Sequence, residues 1–244
     1  MTERLSQVGR LRGGAMPVAI VLLSGGMDSA LALAIAKEEG YEVVALTFDY
    51  GQRHAKEVTA AADVAAHYKV REHRIVRLDF HGFDGSALTD RDVSVPQDRS
   101  LDQMGGGIPP TYVPGRNTIF LAYALAIAEV ERAQVIVIGA NHLDAAGYPD
   151  CRPRYYKAVR ELFALATKRA VEGDRVEVRT PILTMTKGDV VANGLLLRVP
   201  FHLTWSCYLG GEKACGRCDA CLLRLEGFAA ADATDPIAYD EVVE

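Results

Sequence analysis

Short apolar runs recur along the chain, each followed by enough residues to hold a helix: VAIVLL (18–23), EVVALTF (42–48), HRIVRL (73–78), QVIVIG (134–139) and VEVRTPI (176–182). They are rich in Val and Ile, and most lack the strict in-and-out alternation of a sheet with one wet face. They therefore predict strands covered on both sides. Between them, DSALALAIAKEE (28–39), HAKEVTAAADVAAHY (54–68), NTIFLAYALAIAEVE (117–131) and RYYKAVRELFALATKRAV (154–171) predict helices. The third is apolar nearly all round and predicts a deeply packed helix. Strands and helices in alternation predict a doubly wound α/β fold, with a mostly parallel sheet of about five strands and ligands beyond the strands' carboxyl ends.

The pattern fails in three places. Residues 1–16 carry charge and glycine without an apolar period and read as a tail. Between about 82 and 113 the periodicity dissolves into GFDGSALTDRDVSVPQDRSLDQMGGGIPPTYV. A loop of that length with core segments on either side reads as a flap over a site. From 201 to 244 cysteines dominate, so the expected plan is a main α/β domain over 17–200 and a small C-terminal metal-binding segment. No run reaches eighteen apolar residues, and MTERLSQVGRLRGGAM lacks the apolar middle of a secretory signal, so a cytoplasmic, non-membrane protein is expected. A net charge of -5 over 244 residues argues against a nucleic-acid partner.

The sharpest local signal is VLLSGGMDSALAL (21–33): an apolar strand, a Ser-Gly-Gly turn, then a helix opening near Asp28 and Ser29. Glycine lets the backbone approach an oxyanion, and the N–H groups of a helix start carry partial positive charge toward it. The spacing is neither a Walker loop nor GxGxxG. A plain strand-to-helix turn is the alternative for the Ser-Gly-Gly alone. Ser24, Gly25, Gly26, Asp28 and Ser29 together resemble the S-G-G-x-D-S loop of the ATP pyrophosphatase (PP-loop) superfamily, whose fold is the adenine nucleotide alpha hydrolase type.

Four of the five cysteines, Cys207, Cys215, Cys218 and Cys221, fall within fifteen positions with spacing C-x7-C-x2-C-x2-C. Thiols stay reduced in the cytoplasm, so a metal site is expected over disulfides. Four sulfurs close a tetrahedral Zn²⁺ site with no position open for chemistry, one structural zinc per chain. An iron–sulfur cluster is the main rival, although the Cys-Pro ending of ferredoxin-type runs is absent. Cys151 reads as a packed free thiol.

Six pieces in order, LSGGMDSALAL (23), FDYGQRH (48), YVPGRN (112), GYPDCRP (147), TPILTMTK (180) and SCYLG with CGRCDACLLR (206–224), resemble the 7-cyano-7-deazaguanine synthase family of the queuosine pathway. That resemblance implies an ATP-dependent ligase joining 7-carboxy-7-deazaguanine with ammonia, through an adenylated acid and an adenylated amide, to give the nitrile. It also implies Mg²⁺ with the ATP, a homodimer, and only small-molecule substrates. The run Leu23, Ser24, Gly25, Gly26, Met27, Asp28, Ser29, Ala30, Leu31, Ala32 and Leu33 would hold ATP. Within it Ser24, Asp28 and Ser29, joined by Lys187, would serve the reacting phosphates.

Asp49 to His54, among them Tyr50, Gln52 and Arg53, follow a strand where a base pocket forms, with an ordinary turn as the alternative. Arg116 can meet a phosphate, and Asn117 can cap a helix or touch substrate. Asp150 can accept from the N–H groups of a guanine-like base and Arg152 can meet a carboxylate or phosphate, with a salt bridge between the two as the alternative. Lys187 fits a point charge on phosphate. Trp205, Tyr155 and Tyr156 read as packing residues. Two other readings carry different chemistry: another PP-loop enzyme, such as an NAD synthetase or a tRNA lysidine- or thiouridine-forming enzyme, and a non-catalytic zinc-ribbon module.

Overall fold

The computed structural model describes residues 16–240 except 54, 81, 83, 84, 105 and 142–146. The expected tail lies outside these residues save for Met16, as does His54 of the FDYGQRH run.

Five strands form one all-parallel sheet: β1 (Val18–Leu22), β2 (Glu42–Asp49), β3 (Glu72–Arg77), β4 (Val135–Ile138) and β5 (Glu177–Arg179), in the order β3-β2-β1-β4-β5. Side chains of successive strand residues enter opposite cores. Ala19, Val21, Val43, Ala45, Val135 and Val137 face one layer, whereas Ile20, Leu22, Val44, Leu46, Ile136 and Ile138 face the other. That double burial is why the runs of β1, β2 and β4 read as continuous apolar stretches. The helices in chain order are α1 (Met27–Glu38), α2 (Lys56–His67), α3 (Leu101–Met104), α4 (Arg116–Val130), α5 (Pro153–Phe163), α6 (Lys168–Val171), α7 (Lys187–Leu196) and α8 (Asp219–Ala230). Residues of α1, α2, α7 and α8 fill the first core and residues of α4 and α5 the second. The strand order turns back between β1 and β4, so a crevice opens at the carboxyl ends of those two strands.

Four elements depart from the expected pattern. Edge strand β3 is not covered on both sides: its residues are exposed or half-buried, with Ile75 49% exposed. The run 154–171 is two helices, because Thr167 accepts a hydrogen bond from Ala170 N at 3.1 Å and caps a new start. The strand predicted to 182 ends at Arg179, before Pro181, which has no N–H to donate to a sheet. Helix α4 buries only one face: Phe120, Leu121, Ala124, Leu125 and Ala128 are covered, but Val130 is 77% exposed and Tyr123 38%.

The C-terminal segment has its own small core, in which Trp205, Cys207, Ala214, Cys218 and Cys221 pack with Ala87 and Val95 of the flap region. One buried ion pair ties this segment together. Arg224 donates to Asp235 at 2.6 and 2.9 Å, to Thr204 Oγ1 at 2.8 Å and to Phe201 O at 3.1 Å, and both charged side chains are almost wholly buried. Asp235→Asn would leave the guanidinium without its counter-charge. The expected loss is about 3–5 kcal/mol of unfolding free energy, checked by urea unfolding; an unchanged midpoint would refute it.

Candidate active site

At the carboxyl end of β1 the chain turns through Ser24, Gly25 and Gly26 into α1. Gly25 sits at φ +88°, and a Cβ there would lie 2.2 Å from the Glu57 carbonyl oxygen, so the turn demands glycine on two counts. Ser29 Oγ lies inside the turn: it accepts from Ser24 N at 3.2 Å and donates to Gly26 O at 2.9 Å. The helical ladder opens with Ala30 N to Gly26 O at 3.1 Å, which leaves the N–H groups of Met27, Asp28 and Ser29 ahead of it. Such a start favours an anion. Gly139, just past β4, lets α1 come this close, since a Cβ there would stand 2.7 Å from Asp28 O.

Lys187, at the start of α7, reaches this turn. Its Nζ donates to both carboxylate oxygens of Asp28 at 2.9 and 2.8 Å. Thr186 and Asp189 form a reciprocal capping box that fixes the α7 start and so the lysine's position. Thus Asp28 holds a cation rather than capping α1, whose N-cap is Gly26.

The turn and Lys187 border a cavity of about 320 Å³, within the usual range for a small-molecule site. Its apolar wall is Leu22, Leu46, Phe48, Phe120 and Ile138, with the Phe48 and Phe120 rings stacked at 4.1 Å. Arg116 also faces the cavity and donates to Tyr50 Oη at 3.0 Å. Burial opposes the Arg116 charge, but the hydrogen bond to Tyr50 and the charge of Glu57 favour it, and the guanidinium stays protonated. The neighbouring Tyr148 and burial push the Tyr208 phenol up, and burial pushes the Cys151 thiol up to about 12. These phenols and the thiol therefore stay neutral hydrogen-bonding groups at neutral pH.

The sulfurs of Cys207, Cys215, Cys218 and Cys221 all lie within 4.8 Å of one another. A tetrahedron with metal–sulfur bonds of about 2.3 Å has edges of about 3.8 Å, and Cys215 Sγ and Cys221 Sγ are 3.9 Å apart. The S–H groups of Cys218 and Cys221 hold the Cys207 thiol far below its ordinary range, while the thiolate so formed raises both of theirs. Cys207, Cys218 and Cys221, so coupled, ionise together only around a cation. The cluster can hold a metal ion, and three of its four members are buried.

A family model described as Queuosine biosynthesis protein QueC matches residues 18–232. The chain is 53% identical over 226 residues to the 7-cyano-7-deazaguanine synthase of Paramagnetospirillum magneticum, covering 92% of this chain and 99% of that one. It is 49% identical over 219 residues to the protein of the same name from Trichodesmium erythraeum, covering 90% and 99%. The chain belongs to the QueC family of 7-cyano-7-deazaguanine synthases. Among solved structures, an NMN synthetase from Francisella tularensis has a TM-score of 0.46 at 18% identity, covering 81% of this chain and 69% of that one.

Of the residues singled out from sequence, the cavity of this QueC-family chain collects Leu23, Ser24, Gly26, Met27, Asp28, Ser29, Tyr50, Arg116, Asn117 and Lys187. Ala30, Leu31, Ala32 and Leu33 are buried core of α1 instead. Gln52 closes its own turn, accepting from Tyr50 N at 2.8 Å and donating to Glu57 Oε1 at 3.1 Å. Arg53 donates to the carbonyls of Asp90 and Val93 at 2.9 and 3.1 Å and so holds the flap region. Asp150 and Arg152 do not line the cavity. Asp150 Oδ2 accepts from Asn117 N at 3.2 Å, which anchors the start of α4. Trp205 borders the cavity but is fully engaged: Lys56 Nζ lies 3.7 Å over its ring and its indole N–H donates to Cys207 O at 3.0 Å. Cavity residues that sequence reasoning missed include Glu57, Arg99, Tyr148, Tyr208 and Asp219. Tyr148, Tyr208 and Asp219 stood inside quoted motifs, GYPDCRP, SCYLG and CGRCDACLLR, and could have been found there.

Proposed function

We propose that this chain is an ATP-dependent ligase that converts 7-carboxy-7-deazaguanine and ammonia to 7-cyano-7-deazaguanine. The observation that carries this reading is the meeting of the Ser24–Ser29 turn with Lys187 on one cavity, in a member of this family. A carboxylate repels a nucleophile and has no good leaving group. Transfer of AMP to its oxygen removes the charge and makes the oxygen expellable, and ammonia then displaces AMP to give the amide. A second AMP transfer, to the amide oxygen, allows loss of AMP with closure of the carbon–nitrogen triple bond. Each activation releases pyrophosphate.

In this reading the backbone N–H groups ahead of α1 receive the β- and γ-phosphates, and Lys187 moves its charge from Asp28 onto the developing pyrophosphate. Ser24 and Ser29 keep the turn in shape, and Arg116 balances the charge of a phosphate or of the substrate acid. The apolar wall takes the adenine. Tyr50 and Asn117 border the substrate, while Gln52, Arg53 and Asp150 act one step removed by holding the surrounding loops, and Arg152 stands at the N-cap of α5. Asp28 is the carboxylate that fits Mg²⁺, which supplies charge neutralisation between phosphate oxygens when bound. The four cysteines take Zn²⁺ as a structural ion. The homodimer rests on the family resemblance.

Purified protein given ATP, Mg²⁺, ammonium and 7-carboxy-7-deazaguanine should release pyrophosphate and form the nitrile-bearing base, read by mass spectrometry. Release of orthophosphate alone, or an unchanged base, would sink the proposal. Absence of ATP turnover together with tight RNA binding would favour a zinc-ribbon module instead.

A further inference from the structure

The functional reading leaves open which group recognises the amino-bearing edge of the heterocycle, since Asp150, whose Oδ2 accepts from Asn117 N, does not line the cavity. Among the described residues, three carboxylates line the cavity: Asp28, Glu57 and Asp219. Asp28 is bound to Lys187 at the phosphate end. Glu57 belongs to the first turn of α2, whose backbone presses against Gly25, so it too lies beside the phosphate turn. Asp219 lies elsewhere. It opens α8, and Asp219, Leu223 and Gly227 follow at intervals of four, one above the other on a single helix face. Gly227 packs on Lys187, where a Cβ would meet Lys187 Cγ at 2.9 Å. Eight residues of helix therefore separate Asp219 from the lysine's level, about 12 Å along the axis.

Asp219 is also paired in a useful way. Arg99, from the flap region, donates through Nε to Oδ1 at 3.0 Å and through a terminal nitrogen to Oδ2. The approach of the two segments is built in three consecutive steps: Gln97 bridges to Cys218, Asp98 N donates to Arg217 O at 2.8 Å, and Arg99 meets Asp219. An ionised carboxylate has about four acceptor sites, so one on each oxygen remains after Arg99 is served. The pair then presents two acceptor sites beside guanidinium donors. A 2-amino-4-oxopyrimidine ring offers the complement: two N–H donors, at the ring nitrogen and the amino group, next to a carbonyl acceptor. In 7-carboxy-7-deazaguanine that edge lies at the opposite end of the molecule from the carboxyl group, which must point to the phosphates.

Resting on the functional reading above, we infer that Asp219, supported by Arg99, is the specificity-determining carboxylate that reads the amino edge of the substrate base. The test compares 7-carboxy-7-deazaguanine with its analogue lacking the 2-amino group, at saturating ATP, in wild type, Asp219→Asn and Arg99→Ala. Wild type should prefer the parent by roughly 100-fold or more in kcat/KM, because a site built for an N–H is left unpaired by the analogue. Asp219→Asn should lose about that factor on the parent, mostly through KM, with the analogue and the KM for ATP little changed. Arg99→Ala weakens the support but keeps the carboxylate, so its preference for the parent should persist. Metal content by elemental analysis should match wild type in both variants. Equal losses on both acids in Asp219→Asn, or a raised KM for ATP, would overturn the inference while leaving the functional reading in place. A wild-type chain that converts neither acid overturns both.

Discussion

Cys218→Ser should yield a chain that binds less than one metal ion and collects largely in the insoluble fraction. Cys218 is one corner of the sulfur cluster and also the N-cap of α8 and the bridge partner of Gln97. A structural zinc site contributes on the order of 10 kcal/mol to folding, as much as the whole stability of an ordinary domain, roughly 5–15 kcal/mol. Without the ion the four thiols cannot ionise together, and the small core of Trp205, Cys207, Ala214, Cys218 and Cys221 loses its centre. The damage should reach the Ser24–Gly26 turn, because Trp205 N donates to Gly25 O at 2.9 Å. Lys56 adds a second tie, reaching the carbonyls of Gly211 and Glu212 at 3.1 and 2.6 Å from α2. Elemental analysis and soluble yield check the prediction. Full solubility with unchanged metal content would refute a structural metal.

Strands β1, β2 and β4 were legible because double burial leaves a continuous apolar run, and the turn after β1 because Asp28 and Ser29 follow its Ser-Gly-Gly. The cysteines were legible from spacing alone. Helix α8 was not. Its sequence, DACLLRLEGFAA, places a buried arginine and a glycine on faces that periodicity assigns to apolar residues, and both are explained only by distant partners, Asp235 and Lys187. The break between α5 and α6 carries one local signal, the Thr167 cap, and a second that is non-local. No glycine or proline marks it; Arg169 donates to Ala128 O and Ala133 O at 3.0 Å and its N–H to Glu129 Oε1 at 3.1 Å, which docks α6 on the end of α4. The same limit explains the missed wall of the cavity. Arg99 and Asp219 stand 120 positions apart; Asp219 lies inside CGRCDACLLR, but Arg99 belongs to no motif, and the pair forms only where the segment before α3 lies against the cysteine loop.

Gly25→Ala and Gly26→Ala should separate two demands on adjacent glycines. At Gly25 the added methyl would stand 2.2 Å from Glu57 O and 2.8 Å from Ala61 N, at φ +88°. Backbone atoms cannot yield as a flexible side chain does, so α1 or α2 must shift; the expected cost is about 3 kcal/mol. A displacement of the donors by 1 Å loses on the order of 100-fold in rate, so ATP-dependent pyrophosphate release should fall at least that far. At Gly26, with φ -78°, a methyl meets nothing nearer than 3.6 Å, so the thermal midpoint should stay at the wild-type value. The KM for ATP should nonetheless rise, because the methyl occupies space that a phosphate oxygen needs to approach the turn. Thermal unfolding and steady-state kinetics on the two variants read the two effects separately. If Gly26→Ala keeps both its midpoint and its KM for ATP, the triphosphate does not approach that face of the turn, and the pyrophosphate cradle must be sought elsewhere in the cavity.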